Sequence, residues 1–132
     1  KVLSTGKHGS TFGGNPLAMT AGLVTLQTIT DEQLLNNAAS MGQYIIDGLR
    51  QALAHLPEVK SVRGLGLMIG IEIDRPCYDI VTLARQAGLL VNVTADNVVR
   101  LLPALIINTS EANMLVQYLS AAISYFLEPK SV

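Results

Sequence analysis

A glycine-rich loop near the start of the chain has the composition of a small anion site. Its residues, 8–16 (HGSTFGGNP), place the hydroxyls of Ser10 and Thr11 beside glycines that let backbone amides come close to a ligand. Asn15 is suited to cap a following helix and Pro16 to begin it, and the amides at such a helix start attract anions, most naturally phosphate. The alternative, a plain connection that ends in a helix cap, is the commoner kind, because glycine-rich turns before helices are frequent.

Arg100 is the second residue with the character of a binding group. It lies in an otherwise apolar segment, residues 98–103 (VVRLLP), which is predicted to be a strand. A guanidinium among apolar neighbours is unfavourable unless it meets a carboxylate. That carboxylate could belong to a substrate, which an arginine binds through two parallel hydrogen bonds, or to a structural Asp or Glu. Both interpretations stay open, and the structural pair is the commoner kind.

The remaining polar residues carry weaker signals. His8 and His55 have no cysteine or carboxylate at ligand spacing, so the sequence predicts no metal site, and His8 is interpreted as a loop residue with a hydrogen-bond partner. Cys77 has no strongly activating basic cluster beside it and is interpreted as unreactive. Glu72 and Asp74 are expected to be surface acids at a strand end.

The composition argues against several functions. The chain has 132 residues, 49% hydrophobic and only 14% charged, whereas an ordinary soluble domain has roughly 25% charged residues. This balance favours a soluble piece that is largely buried against further chain or a partner subunit, and the polar lead-in of residues 1–10 is interpreted as a fragment boundary. A net charge of −1 without a basic run argues against nucleic-acid binding. No apolar stretch is long enough for a membrane span, and a single cysteine without a signal peptide favours the cytoplasm.

Helices that could position these residues are predicted from apolar spacing and from capping residues. The first covers residues 16–28, and three more follow along the chain. The predicted start and stop signals are Asn15 and Pro16 for the first helix, Thr30 with Gln33 and then Pro57 for the second, Pro76 and Gly88 for the third, and Ser110 for the fourth. The residues expected to face the core are Leu34, Ala38, Met41, Ile45, Leu49, Ala52 and Leu56 in the second helix and Met114, Leu115, Tyr118, Leu119, Ala122 and Phe126 in the last.

Strands are predicted between these helices. Alternating apolar residues over 59–73 indicate two strands joined by a turn at Gly64 and Gly66, and two short strands are predicted at 89–93 and 98–102. The resulting order predicts an α+β fold in which helices pack on one side of a mostly antiparallel sheet. A boundary near residue 29 would separate a loop and helix, residues 1–29, from a compact α+β unit, residues 30–132.

Three segments of the chain resemble one enzyme family. Residues 8–18 (HGSTFGGNPLA), 62–72 (VRGLGLMIGIE) and 88–103 (GLLVNVTADNVVRLLP) are similar, in order and spacing, to segments of the class III, pyridoxal-phosphate-dependent aminotransferases. The third segment is most similar to the branch that acts on N2-acetylornithine. The resemblance covers nearly the whole chain, to about residue 126.

This resemblance implies the C-terminal small domain of a fold-type-I transferase, preceded by a loop and helix of the large domain. It implies a homodimer whose active sites are shared between subunits, with Thr11 binding the phosphate of pyridoxal 5'-phosphate across the dimer interface and Ser10 close to substrate. Arg100 matches the family's arginine near the substrate carboxylate, although some relatives pair that arginine with a glutamate.

The resemblance also implies a missing catalytic group. The family's Schiff-base lysine would precede Lys1, so no catalytic residue is expected here and the isolated chain is expected to be inactive. The intact enzyme would move the δ-amino group of N2-acetylornithine to 2-oxoglutarate, a step of arginine biosynthesis. Succinylornithine, ornithine or 4-aminobutyrate are alternative donors, and a noncatalytic association module is an alternative of another class.

Overall fold

The computed structural model describes residues 4–6 and 9–128, so His8 lies outside the described residues. The described part contains the helices α1 (Pro16–Asp31), α2 (Leu34–Leu53), α3 (Asp79–Gln86) and α4 (Thr109–Leu127) and the strands β1 (Val59–Leu65), β2 (Met68–Ile73), β3 (Asn92–Thr94) and β4 (Val98–Leu101). The chain divides into two compact units, Lys1–Leu34 and Leu35–Val132.

The predicted start of α1 is confirmed. The Asn15 backbone is extended and its side-chain oxygen accepts a hydrogen bond from the Ala18 amide at 2.9 Å, which satisfies one of the free amides of the first turn. Pro16 is the first helical residue, where its fixed φ is already suitable. No described residue of α1 is buried.

The predicted cap between α1 and α2 is wrong. The first helix continues to Asp31, so Thr30 lies inside it and its hydroxyl donates to the Leu26 carbonyl at 3.1 Å. A threonine inside a helix satisfies its hydroxyl in this way, on the carbonyl four residues earlier. The backbone leaves the helical conformation at Gln33, whose φ is +52°, and α2 begins directly afterwards at Leu34. Gln33 therefore makes the turn instead of completing a capping box with Thr30.

The predicted start of α4 is also wrong, by two residues. Asn108 is the N-cap: its side chain accepts from the Glu111 amide, and the Glu111 carboxylate accepts from the Asn108 amide, both at 3.0 Å. This reciprocal capping box places Ser110 inside the helix. Met114, expected in the core, is 48% exposed, because the core-facing stripe of α4 passes through Leu115, and Met114 lies at its edge.

The four strands form one antiparallel sheet in the order β1-β2-β4-β3. The predicted alternation is confirmed, since Ile69, Ile71 and Ile73 of β2 are at most 1% exposed. They belong to one core cluster with residues from three helices and from β4, including Ile45, Leu49, Ile80, Leu119, Ile123, Val99 and Leu101. Helices α2, α3 and α4 thus share one face of the sheet, and the α+β prediction is confirmed.

Two glycines bring α2 against the turn between β1 and β2. Gly66 forms this turn with a φ of +53°, a left-handed conformation that glycine adopts without strain. Gly42 of α2 is buried against it, and a Cβ on Gly42 would lie only 2.1 Å from the Gly66 carbonyl oxygen. The close approach of the two backbones therefore requires glycine in the helix.

Candidate functional site

The loop that precedes α1 is stabilised by its own side chains. The Gly13 amide donates to the Ser10 hydroxyl oxygen at 2.8 Å, and the Asn15 side-chain amide donates to the Phe12 carbonyl at 2.6 Å. A Cβ on Gly13 would lie 2.9 Å from both Cβ and Oγ of Ser10, so the turn is too tight there for a side chain. Gly14 follows with a φ of +77°. The loop is thus a defined turn, in which the Ser10 oxygen is an acceptor and its proton can still be donated.

Thr11 lies at the exposed tip of this turn. Within the described part of the chain its hydroxyl has no hydrogen-bond partner, and it can therefore donate to a ligand. The helix offers less to an anion than the sequence pattern suggested. Pro16 has no amide hydrogen, and the amide of Ala18 is already bonded to Asn15. The hydroxyls of Ser10 and Thr11 are side-chain donors that this loop can present together with its backbone amides.

Arg100 lies on β4, in the second unit, and faces away from the core. Its neighbours Val99 and Leu101 are buried, whereas Arg100 is half-buried on the opposite face of the sheet. In the register of the sheet it pairs with Gly70 of β2 and with Asn92 of β3. The apolar neighbours in sequence therefore do not surround the guanidinium, because successive side chains of a strand point to opposite faces.

The partner of Arg100 is an amide oxygen. Its Nε donates to Oδ1 of Asn92 at 3.1 Å, and no carboxylate within residues 9–128 forms an ion pair with it. The pairs between Asp or Glu and arginine that the described chain does contain are Arg50 with Asp47, Arg63 with Glu72 and Arg75 with Asp74. The structural ion pair considered for Arg100 from its sequence context is thus not formed by the described residues.

An open pocket of about 430 Å³ lies on this face of the sheet. Gly70 is the cross-strand neighbour of Arg100, and a Cβ at that position would lie 3.2 Å from a Val98 methyl group, closer than an ordinary contact. The residues that line the pocket are Arg63, Gly64, Leu65, Met68, Ile69, Gly70, Thr94, Val98 and Arg100. The combination of two guanidinium groups and an apolar wall is suited to a small ligand that carries a carboxylate and an aliphatic chain.

Arg63, the second arginine of the pocket, already has an acidic partner. Its Nη1 donates to Oε2 of Glu72 at 2.7 Å and also to the Ser61 hydroxyl, which itself donates to Glu72 at 3.2 Å. Glu72, expected to be a strand-end surface acid, therefore accepts hydrogen bonds from Arg63 and Ser61 on the sheet face that carries the pocket. Sequence reasoning missed Arg63, Gly70 and Asn92 as site residues, although their outward positions follow from the same alternation that predicted the buried isoleucines.

The weaker candidates are placed outside this pocket. Cys77 is fully buried, and its burial raises the pKa of the thiol, in agreement with its interpretation as unreactive. His55 lies in an exposed turn after α2. Among the described residues no three His, Cys, Asp or Glu side chains are grouped closely enough to hold a metal ion. No described helix combines the length and apolar character needed to cross a membrane.

Comparison with known proteins gives one consistent family. The model of the class-III aminotransferases matches residues 1–123. The chain is 50% identical over 126 residues to acetylornithine aminotransferase 1 of Bordetella pertussis, covering 96% of this chain and 32% of that protein. It is 46% identical over 119 residues to acetylornithine aminotransferase of Methanothermobacter thermautotrophicus, covering 90% and 30%. The chain thus spans about a third of the length of the curated relatives it matches.

Solved structures give the same result. Acetylornithine aminotransferase from Elizabethkingia anophelis superposes with a TM-score of 0.84 at 31% identity, covering 94% of this chain and 34% of that one. Ornithine aminotransferase from Toxoplasma gondii superposes with a TM-score of 0.85 at 33% identity, covering 95% and 30%. Class-III aminotransferases use pyridoxal 5'-phosphate as their cofactor. Since the family model matches most of its length and its helices and sheet superpose on solved members, the chain belongs to the class-III aminotransferase family.

Proposed function

We propose that this chain is the C-terminal part of an aminotransferase that moves the δ-amino group of N2-acetylornithine to 2-oxoglutarate, in the biosynthesis of arginine. The names of its relatives support the donor. The observation on the chain itself that carries the proposal is Arg100, a guanidinium that faces an open pocket and has no ion-pair partner among the described residues. Both 2-oxoglutarate and the amino donor carry a carboxylate that such a group would bind.

In this proposal Arg100 binds a substrate carboxylate. A guanidinium and a carboxylate can form two parallel hydrogen bonds, which orient the substrate and also increase its affinity. The apolar wall of the pocket, which includes Leu65 and Met68, would lie against the methylene groups of the substrate. We assign Arg100 to substrate and not to cofactor, because the second guanidinium of the pocket, Arg63, is already paired with Glu72 and the apolar wall is suited to an aliphatic chain.

The loop before α1 fits the phosphate of pyridoxal 5'-phosphate. Thr11 offers an uncommitted hydroxyl, and the tight turn at Gly13, where a Cβ would lie 2.9 Å from Ser10, requires glycine at that position. We assign Thr11 to the cofactor phosphate, from across the interface of a homodimer, and Ser10 to a position beside the substrate. Bound pyridoxal 5'-phosphate supplies the electron sink that lets an amino group pass between an amine and a keto acid.

The exposed apolar residues around α1 support the proposal that further protein covers this helix. Leu17 is 80% exposed and Leu26 is 66% exposed, and Met19 and Leu23 are both more than half exposed. Apolar side chains in this number on one helix are typical of a surface that further protein covers, either the rest of the same polypeptide or a partner subunit. We propose a homodimer located in the cytoplasm, and sedimentation of the full-length enzyme at micromolar concentration would test the dimer.

The catalytic lysine is proposed to lie outside this sequence. None of its lysines, Lys1, Lys7, Lys60 and Lys130, stands in the family's lysine motif. We therefore expect no transamination by the isolated chain. After incubation with pyridoxal 5'-phosphate and borohydride, peptide mapping should find no stoichiometric label at one defined lysine, and such a label would contradict the proposal.

A comparison of amino donors tests the substrate. The full-length enzyme would be assayed with 2-oxoglutarate and, separately, N2-acetylornithine, N2-succinylornithine, ornithine and 4-aminobutyrate. We expect kcat/KM to be highest for N2-acetylornithine. A higher value for another donor would keep the reaction and change the substrate, whereas no turnover of any donor by a folded, cofactor-loaded dimer would favour the noncatalytic association module.

A further inference from the structure

Asn92 is the residue that determines how the Arg100 guanidinium is oriented. It lies on β3 at the edge of the sheet, directly opposite Arg100 in the register. Its Oδ1 accepts the Nε hydrogen at 3.1 Å, and this is the hydrogen bond that the Arg100 side chain makes among residues 9–128. On the other side, Gly70 pairs with Arg100 and has no side chain that could hold it. The orientation of the guanidinium therefore depends on Asn92.

The identity of the bonded nitrogen decides which edge of the guanidinium is free. An arginine can bind a carboxylate through Nε together with one Nη, or through the two Nη groups at its end. The Nε of Arg100 is occupied by Asn92. The free two-pronged edge is consequently the one formed by the two Nη groups.

The chemistry of the partner also matters, because an amide is neutral. Arg63 is held by Glu72 and Arg75 by Asp74, so the charge of each guanidinium is compensated. Asn92 accepts a hydrogen bond with the same geometry as an aspartate would but adds no negative charge. Arg100 is thus oriented and still keeps its full attraction for an incoming anion.

We propose that Asn92 is a positioning residue: it holds Nε of Arg100 so that the two Nη groups meet a substrate carboxylate, and its neutrality preserves the affinity of that site. The inference rests on the proposed function of Arg100 as a carboxylate-binding residue. It adds a requirement at position 92 for an acceptor without charge.

The test compares substitutions at position 92 in the full-length, cofactor-loaded enzyme. Asn92→Ala removes the acceptor, and Asn92→Asp keeps the acceptor but compensates the charge of Arg100. The matched control is Gln86→Ala, which removes an exposed amide at the end of α3, away from the pocket. KM and kcat would be measured with varied 2-oxoglutarate, and the dissociation constant of glutarate, a nonreacting dicarboxylate, would be measured by calorimetry.

Loss of one hydrogen bond weakens binding about threefold to tenfold. We therefore expect Asn92→Ala to raise KM for 2-oxoglutarate and the glutarate dissociation constant by about that factor. Asn92→Asp should raise the glutarate dissociation constant on the order of tenfold or more. The reason is that the new aspartate would form an ion pair with Arg100 and so compete with the carboxylate of glutarate. In both variants we expect kcat, cofactor content and melting temperature to stay close to those of Gln86→Ala. A purely structural role for Asn92 would instead lower the melting temperature and leave glutarate affinity unchanged, which would overturn the proposal.

Arg100→Ala separates this inference from the function on which it rests. If Arg100→Ala loses glutarate affinity while both Asn92 variants bind like the wild type, the assignment of Asn92 is wrong and that of Arg100 stands. If Arg100→Ala binds glutarate like the wild type, Arg100 is not the carboxylate-binding residue, and both assignments are overturned. If Asn92→Asp binds glutarate more tightly than Asn92→Ala, the argument from neutrality is wrong.

Discussion

The contact between α2 and the β1–β2 turn leads to a sharp prediction about stability. In Gly42→Ala, the new Cβ would lie 2.1 Å from the carbonyl oxygen and 2.4 Å from the carbonyl carbon of Gly66. Nonbonded carbon atoms are most favourable at about 3.5 Å or more, so the turn or the helix would have to retreat by more than about 1 Å. Both sides of the contact are backbone, and no rotamer change can relieve it.

The magnitude follows from two opposing effects. Overpacking of a close-packed interior costs about 1–3 kcal/mol, and a backbone clash belongs at the upper end of this range. Alanine in the interior of a helix is favoured over glycine by about 1 kcal/mol. We therefore expect Gly42→Ala to lower the free energy of unfolding by about 2 kcal/mol in net terms. Because the same turn leads from Leu65 to Met68, the substitution would also displace the wall of the pocket.

Gly48→Ala on the same helix is the matched control. Its Cβ would lie 3.2 Å and 3.3 Å from the two methyl groups of Val116, a side chain that can shift. The helix preference should then offset the contact, and we expect a change within about 1 kcal/mol. Urea denaturation of the 132-residue chain, followed by circular dichroism, measures both variants. Equal stability of Gly42→Ala and wild type, or a larger loss in Gly48→Ala, would refute the reasoning.

Four further predictions concern single residues. In the full-length enzyme, Thr11→Val should raise the cofactor dissociation constant about tenfold to a hundredfold, and more than Ser10→Ala does, because it removes a hydrogen bond to a charged phosphate. Equal dissociation constants for wild type and Thr11→Val would remove Thr11 from the site. Arg100→Lys keeps the charge but loses the planar pair of donors, so kcat/KM for 2-oxoglutarate should fall about tenfold while the melting temperature stays unchanged. A large loss of stability with unchanged kcat/KM would indicate a structural role instead. Asn108→Ala removes the capping box of α4 and should destabilise the chain by about 1 kcal/mol in urea denaturation, whereas no loss would show that the cap is dispensable. Cys77 should react with a thiol reagent at pH 8 far more slowly in the folded chain than in urea, since burial excludes the reagent and raises the pKa of the thiol. Similar reaction rates in the two conditions would contradict the burial of Cys77.

The sequence by itself determined the elements of this fold to a large extent. The alternation of apolar residues along β2 and the three- and four-residue spacing in α2 predicted their buried faces, because each period is set by local backbone geometry. The Asn15 cap and the end of α3, where Gly88 has a φ of +84°, were predicted for the same local reason. The motifs that resemble the class-III family were likewise contiguous stretches of residues.

The errors occurred where several local signals compete. Thr30 and Asn108 are each followed three residues later by a residue that could complete a capping box, Gln33 and Glu111, so the pattern alone does not separate the true cap from the false one. Asn108 is the cap of α4 because Glu111 lies at the position where the two residues bond reciprocally. Thr30 is not a cap because α1 continues past it until Gln33 adopts a positive φ.

The surroundings of Arg100 were decided only by the tertiary structure. Its sequence neighbours are apolar, which suggested a charge that needs a structural acid. The register of three strands instead places it between Gly70 and Asn92, on the sheet face opposite to α2, α3 and α4. That register follows from burial of the isoleucines on the opposite face, since a shift by one residue would exchange the two faces. The Arg100 guanidinium therefore faces a pocket and donates a hydrogen bond to the neutral amide of Asn92. The sequence could not show this, because strand pairing brings together residues that are distant along the chain.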